Sequence, residues 1–198
     1  MKRINEIFHS LQGEGRNVGV AAVFVRFAGC NLRCPFCDTD HRHGTPMTDD
    51  EIVEAIRRLP QSPLIVLTGG EPALQLDDRF VAALHDAFPS SSVAIETNGT
   101  KPLPAGIDWV TLSPKDDFVS GGGAAPVLRR ADELKVIYTG QPLDGYMERF
   151  AAKYYYLQPC ATGNAAADAA NVAATVAAVK ADPRWRLSLQ THKLINIP

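Results

Sequence analysis

Long apolar runs, basic tracts, internal repeats and paired cysteines are all missing from this 198-residue chain. No stretch approaches the ~20 consecutive apolar residues that a membrane-crossing helix needs. The opening MKRINEIFHS has no apolar h-region, so neither a membrane span nor a signal peptide is expected. The formal net charge is only −2 and the lysines and arginines do not cluster, which argues against a nucleic-acid surface. No internal period stands out, which excludes a solenoid or propeller. Cysteine is scarce. Of the four, Cys30, Cys34 and Cys37 stand close together, which points to a cytoplasmic, metal-binding use rather than an extracellular disulfide framework.

What is present is ordinary globular composition, 45% hydrophobic and 21% charged, at a length that suits one domain over residues 1–198. Short apolar, β-branched runs predict strands at Ala21–Phe27, Leu64–Leu67, Val93–Ile95, Trp109–Leu112, Leu134–Tyr138, Tyr154–Leu157 and Arg186–Leu189. Thr48 followed by Glu51 forms a capping box ahead of Ile52, Val53, Ile56 and Leu59 at helical spacing. Phe80, Val81, Leu84 and Phe88 predict a second helix, and Val172, Val176 and Val179 a late one in the alanine-rich segment 165–178. The glycine run 121–123 reads as a mobile loop. Alternating strands and helices imply an α/β fold with a mostly parallel sheet, open or curled into part of a barrel.

Unusual polar residues fall where these runs end. Arg26 and Cys30 end the first, Thr68-Gly-Gly-Glu71 the second, Glu96-Thr-Asn-Gly99 the third and Ser113-Pro-Lys115 the fourth. Gln158-Pro159 and Gln190-Thr-His192 close the sixth and seventh. In a parallel sheet those ends share one edge, where α/β proteins place their sites, so the six clusters predict one large polar pocket.

The cysteines sharpen the chemistry. Three thiolates are one short of a closed structural zinc site, which His41 or His43 could complete. Iron–sulfur cubanes normally take four thiolates, and three would leave one iron open and reactive. Cys160 lies far along the chain, where a small buried residue is the plain alternative. The spacing C-x3-C-x2-C, with Phe36 directly before the last cysteine, resembles the radical S-adenosylmethionine (SAM) superfamily, in which SAM chelates the open iron and is cleaved to a 5′-deoxyadenosyl radical. Gly69-Gly70-Glu71-Pro72 is similar to that superfamily's GGE element beside the SAM methionyl group; alone, the glycine pair reads as a turn.

Within that superfamily the chain is similar, over nearly its whole length, to the 7-carboxy-7-deazaguanine synthases of queuosine and deazapurine biosynthesis. The resemblance rests on FHSLQGEG (8–15), FVRFAGCNLRCPFCDT (24–39), TGGEP (68–72), ETNGT (96–100), SPK (113–115), DELKVI (132–137), LQP (157–159) and LSLQTHKLINIP (187–198). It implies a shortened, incomplete (β/α) barrel, since 198 residues fall below the ~250 of a complete one. It further implies ring contraction of 6-carboxy-5,6,7,8-tetrahydropterin to 7-carboxy-7-deazaguanine with loss of ammonia. The implied cofactors are a [4Fe–4S] cluster on Cys30, Cys34 and Cys37, SAM and Mg²⁺. An electron donor of flavodoxin or ferredoxin type, a homodimer and a cytoplasmic location follow from the same resemblance.

The same resemblance assigns residues. Arg26, whose planar fork suits a carboxylate, joins Leu11, Gln12, Gly13, Thr68 and the terminal carboxylate of Pro198 as substrate contacts; a surface arginine and a simple glycine turn at Gly13 and Gly15 are the bland alternatives. Thr39 is the implied Mg²⁺ ligand, although it would pass for a loop or cap residue. SAM contacts fall on Phe36, Gly70, Ser113, Pro114, Lys115, Gln158, Pro159, Cys160 and Ala161, the last two through backbone groups. No side chain performs the hydrogen abstraction; Glu14 and Glu96 are candidates for proton transfer or hydrogen bonding, with capping or surface roles open. Roles for His192 and Lys193 stay undetermined. The apolar tail Leu194–Pro198 is expected to fold into the pocket and close the site. The rivals are an activase that makes a glycyl radical on a partner protein, which would need a docking surface, and a colourless zinc module.

Overall fold

The computed structural model describes residues 1–119 and 123–198, so the glycine run at 121–123 falls largely outside the described residues. The strands are β1 (Lys2–Leu11), β2 (Ala21–Phe27), β3 (Thr45–Met47), β4 (Leu64–Gly69), β5 (Ser92–Thr97), β6 (Trp109–Leu112), β7 (Arg130–Tyr138), β8 (Ala151–Pro159) and β9 (Arg186–Leu187). The helices are α1 (Asp49–Arg57), α2 (Asp78–Ala87), α3 (Tyr146–Arg149), α4 (Ala165–Ala181) and α5 (Thr191–Ile195). The strands form one sheet in the order β3-β1-β2-β4-β5-β6-β7-β8-β9. From β2 onward every pairing is parallel, while β1 runs antiparallel to both β2 and β3. The ends, β3 and β9, do not pair, so the barrel is incomplete as expected.

All seven expected strands are present, and β9 is two residues shorter than the apolar run. Two strands escape the sequence reading. β1 carries charge on both faces because Lys2, 4% exposed, points into the helical layer. There its ammonium meets Asp49 at 2.7 Å and Asp77 at 3.2 Å and lies over the Phe80 ring. β3 is a three-residue edge strand containing Pro46, a residue that only an edge accommodates.

The outer face of the sheet is closed by helices. Val23, Val25, Phe27, Ile65, Leu67, Val93 and Ile95 pack against Ile52, Val53 and Ile56 of α1 and Phe80 and Leu84 of α2. Both reciprocal hydrogen bonds of the Thr48–Glu51 capping box are formed at the start of α1. A second cluster joins Leu112, Leu134, Val136 and Leu157 to Tyr146, Phe150 and Trp185. α4 forms where expected but with a different face inward. Val172 and Val176 are exposed, and Thr175 is buried instead. Asn171 explains the rotation: its amide donates to the carbonyl of Cys160 at 2.8 Å, and Thr175 donates to the Asn171 carbonyl at 2.7 Å. With alanine all round, two polar side chains choose the face.

The inner face positions the site. Period-2 alternation places Phe24, Val66 and Ala94 inward, in one apolar layer with Phe8, whose ring stacks on Phe24 at 5.0 Å. One pleat nearer the strand ends, the same faces carry Glu6, Arg26, Thr68 and Glu96. Register aligns Glu6 with Arg26 and Arg26 with Thr68, and Thr68 donates to Glu96 at 2.9 Å. A polar row thus lies above an apolar floor.

Candidate active site

A cavity of about 670 Å³ opens at this edge of the sheet. It is lined by the ends of β1, β2, β4, β5, β7 and β8, the residue following β6, the cysteine loop and the tail. All six polar clusters read from the sequence contribute to it.

The cysteine loop runs between β2 and β3. It is held by backbone bonds, Gly29 N–H to His41 at 2.6 Å and Cys37 N–H to Cys34 at 3.2 Å. Asn31 ties it to β5, donating to Thr100 at 2.9 Å and accepting from Asn98 at 3.2 Å. Cys30, Cys34 and Cys37 are free thiols and all three line the cavity. Burial pushes Cys30 and Cys34 upward, opposed by the Leu32 N–H at Cys30 and by Lys115 near Cys34. Among the described residues, no three His, Cys, Asp or Glu side chains gather tightly enough to hold one metal ion. Three thiols on one cavity are one short of the four a cubane usually takes, so the donor set fits a cluster with one open iron. Phe36 lines the cavity with its ring edge-on to Phe118 at 4.9 Å.

The glycine pair after β4 is a packing requirement as much as a ligand contact. A Cβ on Gly70 would lie 1.9 Å from the carbonyl oxygen of Gly29, and Gly69 has φ +117°. The turn therefore lies directly on the backbone that leads into Cys30. Glu71 faces away from the cavity and is fully buried. Its carboxylate accepts from Ala73 N–H at 3.0 Å, Thr97 Oγ1 at 2.7 Å and Asn98 N–H at 2.7 Å. It locks β4 to β5.

Arg26 reaches the cavity with its Nε on Glu6 at 2.6 Å and its guanidinium over Phe8. Among the described residues the terminal Nη end carries no hydrogen bond. Beside it lies a charged network that the sequence reading missed. Lys135 is buried, hydrogen-bonded to Glu14 and 3.7 Å from Glu96. Gln12 donates to Glu96 at 3.1 Å, and Gln190 to Glu14 at 2.8 Å. Burial alone would lower Lys135 and raise Glu14, but their mutual attraction holds Lys135 above and Glu14 below their usual ranges. The signal for Lys135 was in the strand: Glu133 and Lys135 alternate with fully buried Leu134 and Val136, a charged inner face opposite an apolar outer one. Lys115 donates to the Ser113 carbonyl at 2.7 Å, and burial pushes it down to about 8.

Most site residues expected from the sequence meet here. Leu11, Gln12, Glu14, Arg26, Thr39, Thr68 and Gly70 line the cavity, as do Glu96, Ser113, Lys115, Gln158, Pro159 and Ala161. His192, Lys193 and Pro198 enter from the tail. Three others do not reach it. Gly13 is bare because the His192 ring occupies the place of a side chain, 2.1 Å from a Cβ position. Pro114 lies outside the lining. Cys160 is buried outside it, and its carbonyl is taken by Asn171. Gly15, at φ +66°, approaches the Glu133 carboxylate instead of the cavity. The tail is also less apolar in its contacts than its composition implies, for Leu194 and Ile195 are 72% and 58% exposed.

The profile of the radical SAM superfamily matches residues 24–119. A 7-carboxy-7-deazaguanine synthase of Bacteroides thetaiotaomicron is 51% identical over 197 residues, covering 100% of this chain and 99% of that protein. One from Nitratidesulfovibrio vulgaris is 42% identical with 99% of both chains covered. The crystal structure of QueE from Escherichia coli superposes with a TM-score of 0.72 at 27% identity, covering 95% of this chain and 93% of that one. The superfamily brings a [4Fe–4S] cluster and SAM with it, and the three cavity thiols match that requirement. On full-length identity and shared fold, the chain belongs to the 7-carboxy-7-deazaguanine synthase family of radical SAM enzymes.

Proposed function

We propose that this protein contracts the ring of 6-carboxy-5,6,7,8-tetrahydropterin to give 7-carboxy-7-deazaguanine and ammonia. The observation that carries this reading is the convergence of three free thiols, the Arg26–Thr68–Glu96 row and Pro198 on one cavity. When bound, the cluster and SAM supply a carbon radical that removes a hydrogen from C6 of the substrate. The chain's residues bind, orient and shield.

Each polar group then has a task. The free Nη end of Arg26 pairs with the substrate carboxylate, while Glu6 and Phe8 fix the guanidinium plane. Glu96, with its two oxygens steadied by Gln12 and Thr68, faces the pterin's amino and ring N–H donors. Glu14, kept ionised by Lys135, acts as a fixed anion rather than a proton donor. Ser113, Lys115, Gln158, Pro159 and Ala161 would hold SAM, with Phe36 at the adenine. Thr39 would supply a hard oxygen to Mg²⁺, which would neutralise charge on the substrate carboxylate. The Pro198 carboxylate, held by Ser10 at 2.7 Å, completes the pocket from the tail.

Mg²⁺, a flavodoxin- or ferredoxin-type electron donor, a homodimer and a cytoplasmic setting extend this reading on family grounds. Among the described residues no helix is long and apolar enough to cross a membrane. The test is anaerobic incubation of the iron-loaded protein with SAM, reductant, Mg²⁺ and the carboxypterin. Product lacking one ring nitrogen, with one ammonia released per turnover, is expected. Deoxyadenosine without that product would overturn the substrate assignment.

A further inference from the structure

The tail is not held by burial. α5 has no buried residue, and its two large apolar side chains face solvent. Polar contacts hold it instead. Thr191 donates its N–H and its hydroxyl to the Gly13 carbonyl, each at 2.9 Å. Asn196, at φ +55°, turns the chain so that the Ile197 N–H returns to His192 and Pro198 reaches Ser10. Among the described residues, every hydrogen bond from the tail toward the cysteine loop ends on a single carboxylate, that of Asp38. Lys193 donates to it at 2.5 Å and Gln190 at 3.4 Å, and Lys193 also donates to Gln190 at 2.9 Å. Gln190 continues the chain of contacts to Glu14, and Glu14 to Lys135.

Asp38 lies between Cys37 and Thr39, so whatever fixes its carboxylate also fixes the peptide joining the last thiol to the threonine hydroxyl. We propose that Lys193 is a positioning residue: its bridge to Asp38 clasps the tail to the cysteine loop, so that both walls of the cavity take their working geometry together. This rests on the ring-contraction reading for its kinetic consequence, but its structural half does not. The bridge is partly exposed, with side-chain exposures of 42% for Lys193 and 52% for Asp38. Pairs of that kind contribute little, about 1 kcal/mol at most. That suits a contact which must release the tail when ligands pass.

The test compares wild type with Lys193→Met, which keeps the stem, and Lys193→Arg, which keeps the cation. In Lys193→Met, amide hydrogen exchange is expected to quicken together in residues 190–198 and 37–41, with iron content unchanged. The KM for the carboxypterin should rise about fivefold with kcat within about twofold, the worth of one such pair. Deoxyadenosine should form in excess of product. Lys193→Arg should restore all of these. Unchanged exchange at 37–41 in Lys193→Met overturns the clasp, as does loss of iron or failure of the arginine to rescue. If wild type makes no product but exchange behaves as stated, the reaction assignment fails and the clasp stands.

Discussion

Lys135 is the cation on which the polar row of the cavity depends. Replacing it by methionine leaves Glu14 buried without its counter-ion, and breaking such a pair costs about 3–5 kcal/mol near neutral pH. The pH dependence has a definite sign. In wild type Glu14 lies below its ordinary 4.5, so its stabilisation is complete above 4.5 and is lost as pH falls through the depressed value. In Lys135→Met burial, the largest influence on Glu14, is opposed only by the weaker Gln190 hydrogen bond and His192 and raises it, so stability falls as pH rises through the new value. The gap between the proteins should therefore widen from pH 5 to pH 8 in denaturant unfolding; a constant gap would refute it. Gly70→Ala tests a different physics. Its methyl meets a backbone oxygen that cannot step aside, so a loss of about 3 kcal/mol and weakened SAM binding are expected by thermal shift and equilibrium dialysis. Residues like Cys30 and Gly70 were legible because spacing alone marks them. Gln190 was marked by its place in a polar cluster, but Lys135 and Asp38 act through partners more than 100 residues away, and no local pattern encodes that separation.

Among the elements, α5 and the residues after it carry the sharpest consequence. Pro198 lines the cavity with its carbonyl oxygen accepting from Ser10, so residues added after it must crowd the pocket or be threaded out of it. A short C-terminal extension is expected to reduce turnover at least about tenfold, one lost charge-assisted contact of about 1.5–3 kcal/mol, while iron content stays unchanged. Steady-state rates beside iron analysis check this, and full activity would contradict it. The central parallel strands were readable because strands buried on both faces are continuous apolar runs. β1 was not, since Lys2 hides a buried position behind a charge that Asp49 and Asp77 neutralise. In α4 the apolar spacing located the helix but misjudged its face. Alanine offers little area to bury, and the amide of Asn171 outweighed two valines.

At the scale of the whole molecule, an unclosed sheet brings residues as far apart in sequence as Gln12 and Pro198 to one rim. The cavity was foreseeable as six polar clusters on one sheet edge; its inward polar row above an apolar floor needed the register. Each of Cys30→Ala, Cys34→Ala and Cys37→Ala is expected to abolish the brown iron–sulfur absorbance of anaerobically prepared protein and leave its circular dichroism native. Retention of the absorbance in any of them would remove that cysteine from the cluster. On the proposed function, this cavity directs radical chemistry onto C6 of the carboxypterin. Substrate carrying deuterium at C6, incubated anaerobically with the iron-loaded protein, SAM, reductant and Mg²⁺, tests it most directly. Deuterium in the 5′-deoxyadenosine is expected, together with 7-carboxy-7-deazaguanine and ammonia in equal amounts; unlabelled deoxyadenosine with the pterin recovered intact would overturn the assignment.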